Sequence, residues 1–119
     1  MLRYARAFDP QAFHVDLDAA RLSHFGGLVA SGWFTVSVYT RLLVDGVLSH
    51  LDTVGSSGVD HVSWPAPLRP GVTMTGDVKL KAIRPSLADR AIGVVGLDGR
   101  AVVDGVEVLR ISMAVLVRR

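Results

Sequence analysis

The chain has 119 residues, 50% of them hydrophobic and 20% charged, which is the composition of one soluble globular domain spanning residues 1–119. Its 13 basic and 11 acidic residues leave a formal net charge of only +2 and form no basic stripe, so we expect no nucleic-acid partner. The lack of cysteine excludes disulfides and thiolate chemistry, and the lack of a long apolar run or a secretory signal predicts a cytoplasmic protein with no membrane partner.

Short helices are predicted before residue 28. Residues 1–8 have helical composition, and Asp9-Pro10 ends this helix because proline disfavours the α conformation in the residue before it. Asp16 is the predicted N-cap of a helix that continues to Arg21, since its carboxylate can accept from the first free amides. Gly26-Gly27 then predicts a turn before the next element.

The segment Leu28–Leu51 is predicted to be one long helix. Apolar side chains fall on nearly every face of this segment, so a helix here has to be buried. The part from Phe34 to Thr40 also alternates like a β-strand, and periodicity alone leaves that choice open. Length favours the helix, because a strand this long without a break is unusual.

From Gly55 onward the pattern changes to strands. Short apolar stretches alternate with turn residues, which predicts strands over residues 59–64 and 72–81, from about residue 90, and over residues 106–117. Arg84-Pro85 is expected to end the second of these strands. Asp98-Gly99 and Asp104-Gly105 are both hairpin signals, and we expect one of the two to be unused.

The order of the elements predicts an α+β fold. Short helices and one long buried helix precede at least four antiparallel strands, and a very apolar helix wrapped by a curved sheet fits this order. No internal repeat or low-complexity linker divides the chain. Because the chain is small for an enzyme that has to enclose a substrate, we also expect it to associate with itself.

Histidine and aspartate are the candidate chemical groups. Of the histidines, at positions 14, 24, 50 and 61, His14 has acidic residues close by on both sides, namely Asp9 and Asp16. Asp9 and His14 are therefore the candidate catalytic pair, whereas the other histidines are given surface or structural roles. The group is too sparse for a metal site, so no metal is predicted.

Two segments resemble a known family. The run Phe-Asp-Pro-Gln-Ala-Phe-His at residues 8–14 and the run Phe-Gly-Gly-Leu-Val-Ala-Ser-Gly at residues 25–32 resemble the MaoC-like dehydratases, which include (R)-specific enoyl-CoA hydratases. The family's hydratase motif, Asp-x-Asn-Pro-x-His, has the same separation between aspartate and histidine as Asp9 and His14. Residues 55–60 and 67–71 also look like the following segments of the family, so the resemblance extends to the end of the chain.

The resemblance implies a hot-dog fold, in which an antiparallel β-sheet wraps a long central α-helix. It also implies that Asp9 and His14 are catalytic and that the backbone amide of Gly32 forms the oxyanion hole. Gln11 replaces the asparagine of the motif, and Ser31 stands where hydratases often have a second histidine. The chain begins near the helix that leads into the motif, which predicts a shortened N-terminus without the family's first strand.

These residue types suit the addition of water to a 2-enoyl thioester. The reaction needs one group to take a proton from water as its oxygen attacks Cβ, and another to deliver a proton to Cα. An imidazole titrates near neutral pH, so His14 can polarise the water, while Asp9 positions the same water and exchanges the proton at Cα. The enolate oxygen needs fixed donors, and the first amides of a helix, here at Gly32, are free to supply them.

Plainer interpretations of these residues stay open. Asp9 could simply turn the chain, and Gly32 could simply permit close helix packing. Serines beside glycines more often form a loop than line a pocket. The weaker candidates for the substrate pocket are Gln11, Ser31, Ser56 and Ser57. The aromatic residues that we assign to a core or an interface are Trp33, Phe34, Tyr39 and Trp64.

The leading functional hypothesis is therefore an (R)-specific enoyl-CoA hydratase or 3-hydroxyacyl-thioester dehydratase. The alternatives are an acyl-CoA thioesterase and a catalytically silent subunit that binds acyl thioesters. The expected partners are an acyl-CoA or acyl carrier protein thioester and a second copy of the chain, in a homodimer or a larger homo-oligomer. No cofactor is expected, because CoA is part of the substrate.

Overall fold

Four helices precede four strands in the computed structural model, which describes residues 1–119. The helices span Leu2–Phe8 (α1), Ala12–Val15 (α2), Leu17–Leu22 (α3) and Gly32–Gly46 (α4), and a 3-10 turn follows at Leu48–His50. The strands span Thr53–Ser63 (β1), Thr75–Pro85 (β2), Ile92–Val103 (β3) and Val106–Arg118 (β4). They form one antiparallel sheet in the order β1-β4-β3-β2, which confirms the α+β prediction.

The predicted end of α1 and the predicted N-cap of α3 are confirmed, whereas α2 was not predicted. Asp9 is the C-terminal cap of α1, directly before Pro10. The Asp16 carboxylate accepts from the backbone N–H groups of Asp18 and Ala19 at 2.9 and 3.1 Å, so it caps α3 as expected. Gly26, with φ of +67°, lies in the turn that was predicted from the glycine pair.

Helix α4 is shorter than the predicted helix, which began at Leu28. Residues 28–31 lie outside any helix because their backbone has tertiary partners: Ala30 N–H donates to Leu68 O at 2.8 Å and Val29 N–H donates to Phe13 O at 3.3 Å. These partners lie far away in sequence. Local composition therefore could not locate the start of the helix, which is at Gly32.

One face of α4 packs against the sheet. The buried stripe consists of Thr35, Tyr39 and Leu43, which recur every four residues and so lie on one side of the helix. Other apolar side chains are more open, and Trp33 is 55% exposed. The expectation that the whole helix is buried was therefore wrong for the single chain, whose sheet covers one side of α4.

The strands differ from their predicted bounds. Strand β1 begins at Thr53, so Gly55-Ser56-Ser57-Gly58 belongs to a strand and not to a loop, and the register with β4 shifts beside both glycines. Strand β2 continues to Pro85, which pairs with Gly93. Proline is tolerated there because β2 is an edge strand, and an edge position needs no donor on its outer side.

Asp104-Gly105 forms the tight turn between β3 and β4, whereas Asp98-Gly99 lies inside β3, so the prediction that one hairpin signal is unused is confirmed. Asp98-Gly99 stays within the strand because the ring of Tyr39 packs on the backbone of the sheet at this point. The Tyr39 hydroxyl donates to Asp77 O at 3.0 Å. A Cβ atom at position 99 would lie 2.6 Å from Tyr39 Cζ. Glycine is needed at position 99 for this close approach and not for a turn.

The hydrophobic core lies between α4 and the inner faces of β3 and β4. Leu97 and Leu109 are the largest fully buried apolar side chains, and Tyr39 and Leu43 of α4 pack in the same cluster. At the N-terminal end of α4, Tyr4 of α1 meets Phe34 with ring centroids 5.6 Å apart. None of the helices is both long and apolar enough to cross a membrane.

Replacing Gly99 by alanine should lower the free energy of unfolding by about 1–3 kcal/mol, because the methyl group overpacks the site against Tyr39. Urea unfolding followed by circular dichroism measures the change. Gly46→Ala, at the end of α4 with no neighbour near the new methyl group, is the control and should not destabilise the protein. Equal effects of the two substitutions would contradict this account of the Tyr39 contact.

Candidate active site

Asp9 and His14 meet at the N-terminal end of α4. Asp9 follows α1 directly, and His14 lies on α2 after the bend at Pro10. Their side chains approach with 3.4 Å between His14 Nε2 and Asp9 Oδ2. The His14 side chain is 7% exposed and that of Asp9 is 18% exposed, so both are largely shielded from water. The structure thus brings the predicted pair together.

The backbone fixes the orientation of the His14 ring. Nδ1 lies 2.8 Å from Val29 O, and a carbonyl oxygen can only accept, so Nδ1 carries a proton. In the neutral imidazole, Nε2 is then the nitrogen with a free lone pair. This nitrogen faces Asp9 and is the one able to exchange a proton with a bound molecule.

The Asp9 carboxylate is held by two donors. Ser31 Oγ–H donates to Oδ2 at 2.6 Å, and the Gln11 amide donates to Oδ1 at 2.7 Å. These two bonds lower the pKa of Asp9, and the bond from Ser31 has the larger effect. Burial opposes this change by raising the pKa, whereas the electrostatic interaction with His14 lowers it further. Asp9 is therefore ionised at neutral pH and its orientation is fixed.

The first amides of α4 point out of the helix without protein acceptors. The N–H groups of Phe34 and Thr35 donate to Ser31 O, whereas those of Gly32 and Trp33 donate to no protein atom. Free N–H groups at a helix start carry partial positive charge and can bind an anionic oxygen. The Ser31 hydroxyl does not cap the helix, because it is bonded to Asp9.

A cleft of about 610 Å³ joins these groups. Asp9, His14 and Gly32 lie in its wall beside apolar residues from the helix, the preceding loop and the segment after β1. Aromatic rings form much of the apolar lining, in two edge-on or tilted pairs: Phe13 with Phe25, and Trp33 with Trp64. The cleft can therefore hold an apolar group next to an acid, a base and free amides.

The sequence profile of the MaoC-like domain family matches residues 1–95, which is most of the chain. The chain belongs to the MaoC-like domain family. A MaoC-like dehydratase from Rhodospirillum rubrum is 37% identical, with a TM-score of 0.85 over 99% of this chain and 81% of that one. An (R)-hydratase from A. caviae involved in PHA biosynthesis is 22% identical, with a TM-score of 0.73 over 95% of this chain and 81% of that one. These structures have the hot-dog fold, as predicted.

A curated relative of this MaoC-like domain is the uncharacterized protein YdeM of Bacillus subtilis. The two are 30% identical over 70 residues, which is 59% of this chain. The matched segment spans only 50% of the length of YdeM.

The predicted site residues of the MaoC-like domain fall into two groups. Asp9, His14, Gln11 and Gly32 line the cleft, and the fully buried Ser31 lies behind Asp9, where it contacts the carboxylate. Ser56 and Ser57 are exposed on β1 and do not line this cleft; the Ser56 hydroxyl donates instead to Ala114 O at 2.6 Å.

Three residues of the cleft, one histidine and two tryptophans, were not predicted from the sequence to line it. His24, given a surface or structural role, lines the cleft, as do Trp33 and Trp64, which were assigned to a core or an interface. Arg69 also lines it, and its guanidinium donates to Phe25 O at 2.7 Å. No local signal links Trp64 to Gly32, because only the tertiary fold brings the segment after β1 to the start of α4.

A second cleft of the MaoC-like domain, of about 620 Å³, lies on the outer face of the sheet, away from α4. Four of its charged side chains are paired with one another: Arg100 bonds Asp77 at 2.9 Å, and Glu107 pairs with both Arg100 and Arg110. Only two of its lining residues are hydrophobic. Unlike this second cleft, the first joins an aspartate–histidine pair to free amides and an apolar wall, so the first cleft is the candidate active site.

Replacing Ser31 by alanine should raise the pKa of Asp9 toward its ordinary value, because the strongest of the contacts that lower it is lost. Carboxyl ¹³C NMR titration of Asp9 measures the shift. Ser37→Ala on the exposed side of α4, whose hydroxyl bonds only Trp33 O of the same helix, is the control. An unchanged pKa of Asp9 in Ser31→Ala protein would contradict the assignment.

The hydrogen bond from Ser31 to Asp9 also makes the stability of the fold depend on pH. Because the pKa of Asp9 is lowered on folding, Asp9 stabilises the fold above its unfolded pKa of about 3.9, and this stabilisation is lost as the pH falls through the folded pKa. The Ser31→Ala protein should therefore lose less stability than the wild type when the pH is lowered through this acid range.

Proposed function

We propose that this MaoC-like domain is an (R)-specific enoyl-CoA hydratase, which in the reverse direction acts as a 3-hydroxyacyl-thioester dehydratase. The observation that carries the proposal is the approach of an ionised Asp9 to His14 Nε2, the nitrogen that can gain or release a proton, beside the unpaired amides that begin α4. The likeness to a MaoC-like dehydratase and to an (R)-hydratase supports the reaction class and the stereochemistry. CoA enters as part of the substrate, so the proposal requires no cofactor.

The pair divides the proton transfers of the reaction. In dehydration, the Asp9 carboxylate removes the proton from Cα, and protonated His14 Nε2 gives a proton to the departing hydroxyl, which leaves Cβ as water. The electron pair of the broken Cα–H bond becomes the new double bond. The proton on Asp9 then returns to His14 across the 3.4 Å that separates them, which restores the starting state. Hydration is the same sequence reversed.

Negative charge develops on the thioester oxygen when the Cα–H bond breaks. The free amides of Gly32 and Trp33 are donors fixed in place by α4, so they can stabilise this charge without rearrangement. Gln11 and Ser31 hold Asp9 in position through their hydrogen bonds. Gln11 thus takes a polar role at the place of the asparagine that it replaces in the family motif. Arg69 lies at the cleft with an exposed side chain, where it could meet a phosphate of CoA or of an acyl carrier protein.

Substitution of the catalytic pair tests the proposal. Asp9→Asn and His14→Ala should each lower the rate of crotonyl-CoA hydration by about 10²–10⁴-fold, because each removes a group that transfers a proton. The loss of absorbance of the conjugated thioester measures the rate. His61→Ala is the matched control, since this histidine lies in the second cleft on the outer face of the sheet.

Each possible result of this assay leads to a different conclusion. Activity that survives both substitutions of the pair would refute the assignment. Release of free CoA thiol without loss of the double bond would identify a thioesterase. Binding of a CoA ester by calorimetry, with no turnover of any acyl thioester, would identify a silent binding subunit.

We also propose that the chain forms a homodimer through β1. This strand is 11 residues long and forms an edge of the sheet. Its titratable residues are Asp60 and His61, and it contains no lysine or arginine. An edge of this kind leaves a row of backbone groups that can pair with another chain. Val54 and Val59 on it are also 43% and 49% exposed.

Light scattering should accordingly give twice the chain mass of 12.7 kDa. Val59→Lys places a charge on this edge and should increase the monomer fraction. Ile83→Lys makes the same change on the opposite edge, β2, and should leave the mass unchanged. A monomeric wild-type protein, or dissociation by Ile83→Lys alone, would exclude pairing through β1.

A further inference from the structure

The indole of Trp64 lies directly on the first residue of α4. Trp64 Nε1–H donates to Gly32 O at 2.9 Å, although the two residues are 32 positions apart in the sequence. A Cβ atom at position 32 would lie 2.6 Å from the same nitrogen, so any side chain there would displace the ring. Glycine at position 32 therefore allows the indole to reach the helix backbone.

The carbonyl that Trp64 contacts belongs to the same peptide group as the N–H of Trp33. A carbonyl oxygen has two lone pairs, so Gly32 O can accept from the indole in addition to any bond within the helix. An acceptor bond at one end of a peptide group polarises the group and strengthens its N–H as a donor at the other end. This N–H is one of the two that begin α4 without a protein acceptor.

We propose that Trp64 is a positioning residue of the oxyanion hole. Its indole N–H fixes the first peptide group of α4 and makes the Trp33 amide a better donor to the thioester oxygen, so that this amide acts beside that of Gly32. The inference rests on the proposed hydratase function, since it concerns the charge that develops in that reaction. Trp64 itself does not touch the reacting atoms.

The surroundings of the two tryptophans separate this role from simple packing. Trp64 is 40% exposed and Trp33 is 55% exposed, and their rings meet edge-on at 5.3 Å in the wall of the same cleft. Trp64 donates to the helix backbone, whereas the indole N–H of Trp33 has no protein acceptor. Phenylalanine at either position keeps an aromatic ring in the wall, but only at position 64 does it remove a hydrogen bond.

Hydration of crotonyl-CoA by Trp64→Phe and by a control variant tests the proposal. Trp64→Phe should lower kcat by about five- to tenfold with KM nearly unchanged. A reduction of this size corresponds to the usual net contribution of one hydrogen bond to the barrier of a reaction. Tyr4→Phe, which removes a hydroxyl group outside the cleft and keeps the ring that packs on Phe34, is the control and should leave kcat and KM unchanged. Equal reductions of kcat by both substitutions would overturn the proposal.

A second measurement does not depend on turnover. The ¹³C resonance of the Gly32 carbonyl moves downfield when its oxygen accepts a hydrogen bond, so it should move upfield in Trp64→Phe and stay in place in Tyr4→Phe. An unmoved Gly32 carbonyl in Trp64→Phe overturns the role of Trp64. A wild-type protein inactive on crotonyl-CoA, with the carbonyl shift present, would instead overturn the hydratase function and with it the catalytic part of this inference.

Discussion

The hydrogen bond between His14 Nδ1 and Val29 O is the contact on which the site depends. It pins α2 to the loop before α4 and decides which imidazole nitrogen faces Asp9. Without it the ring could present either nitrogen, and the proton transfers assigned to Nε2 would lose their fixed direction. Because the acceptor is a backbone carbonyl, the sequence can change at position 29 without loss of this bond.

The loop of residues 28–31 connects almost every part of the site. Val29 orients His14 through its carbonyl, Ala30 pairs with Leu68 on the segment after β1, and Ser31 holds Asp9 through its hydroxyl. Helix α4 begins at the next residue. One short stretch of backbone thus sets the distance between the acid, the base and the free amides, which is the kind of preorganisation that supports catalysis in a fixed geometry.

The sheet supports this arrangement from the other side of α4. Tyr39 packs where Gly76 and Gly99 leave the backbone of β2 and β3 open, and its hydroxyl donates to Asp77 O. The helix is thereby anchored about two turns beyond its first residue. Charged side chains occupy the outer face of the same sheet, where Arg100 pairs with Asp77 and Glu107 of the two neighbouring strands, so only the inner face is available for the core.

The sequence alone determined the α+β class, the caps at Asp9 and Asp16, and the pairing of Asp9 with His14. These features have local causes, namely proline, capping carboxylates, residue spacing and a family motif. Only the tertiary structure decided the start of α4, the reason for glycine at position 99, and the contact of Trp64 with Gly32. Each of these results from a contact between residues far apart in the chain, and no local pattern records such contacts.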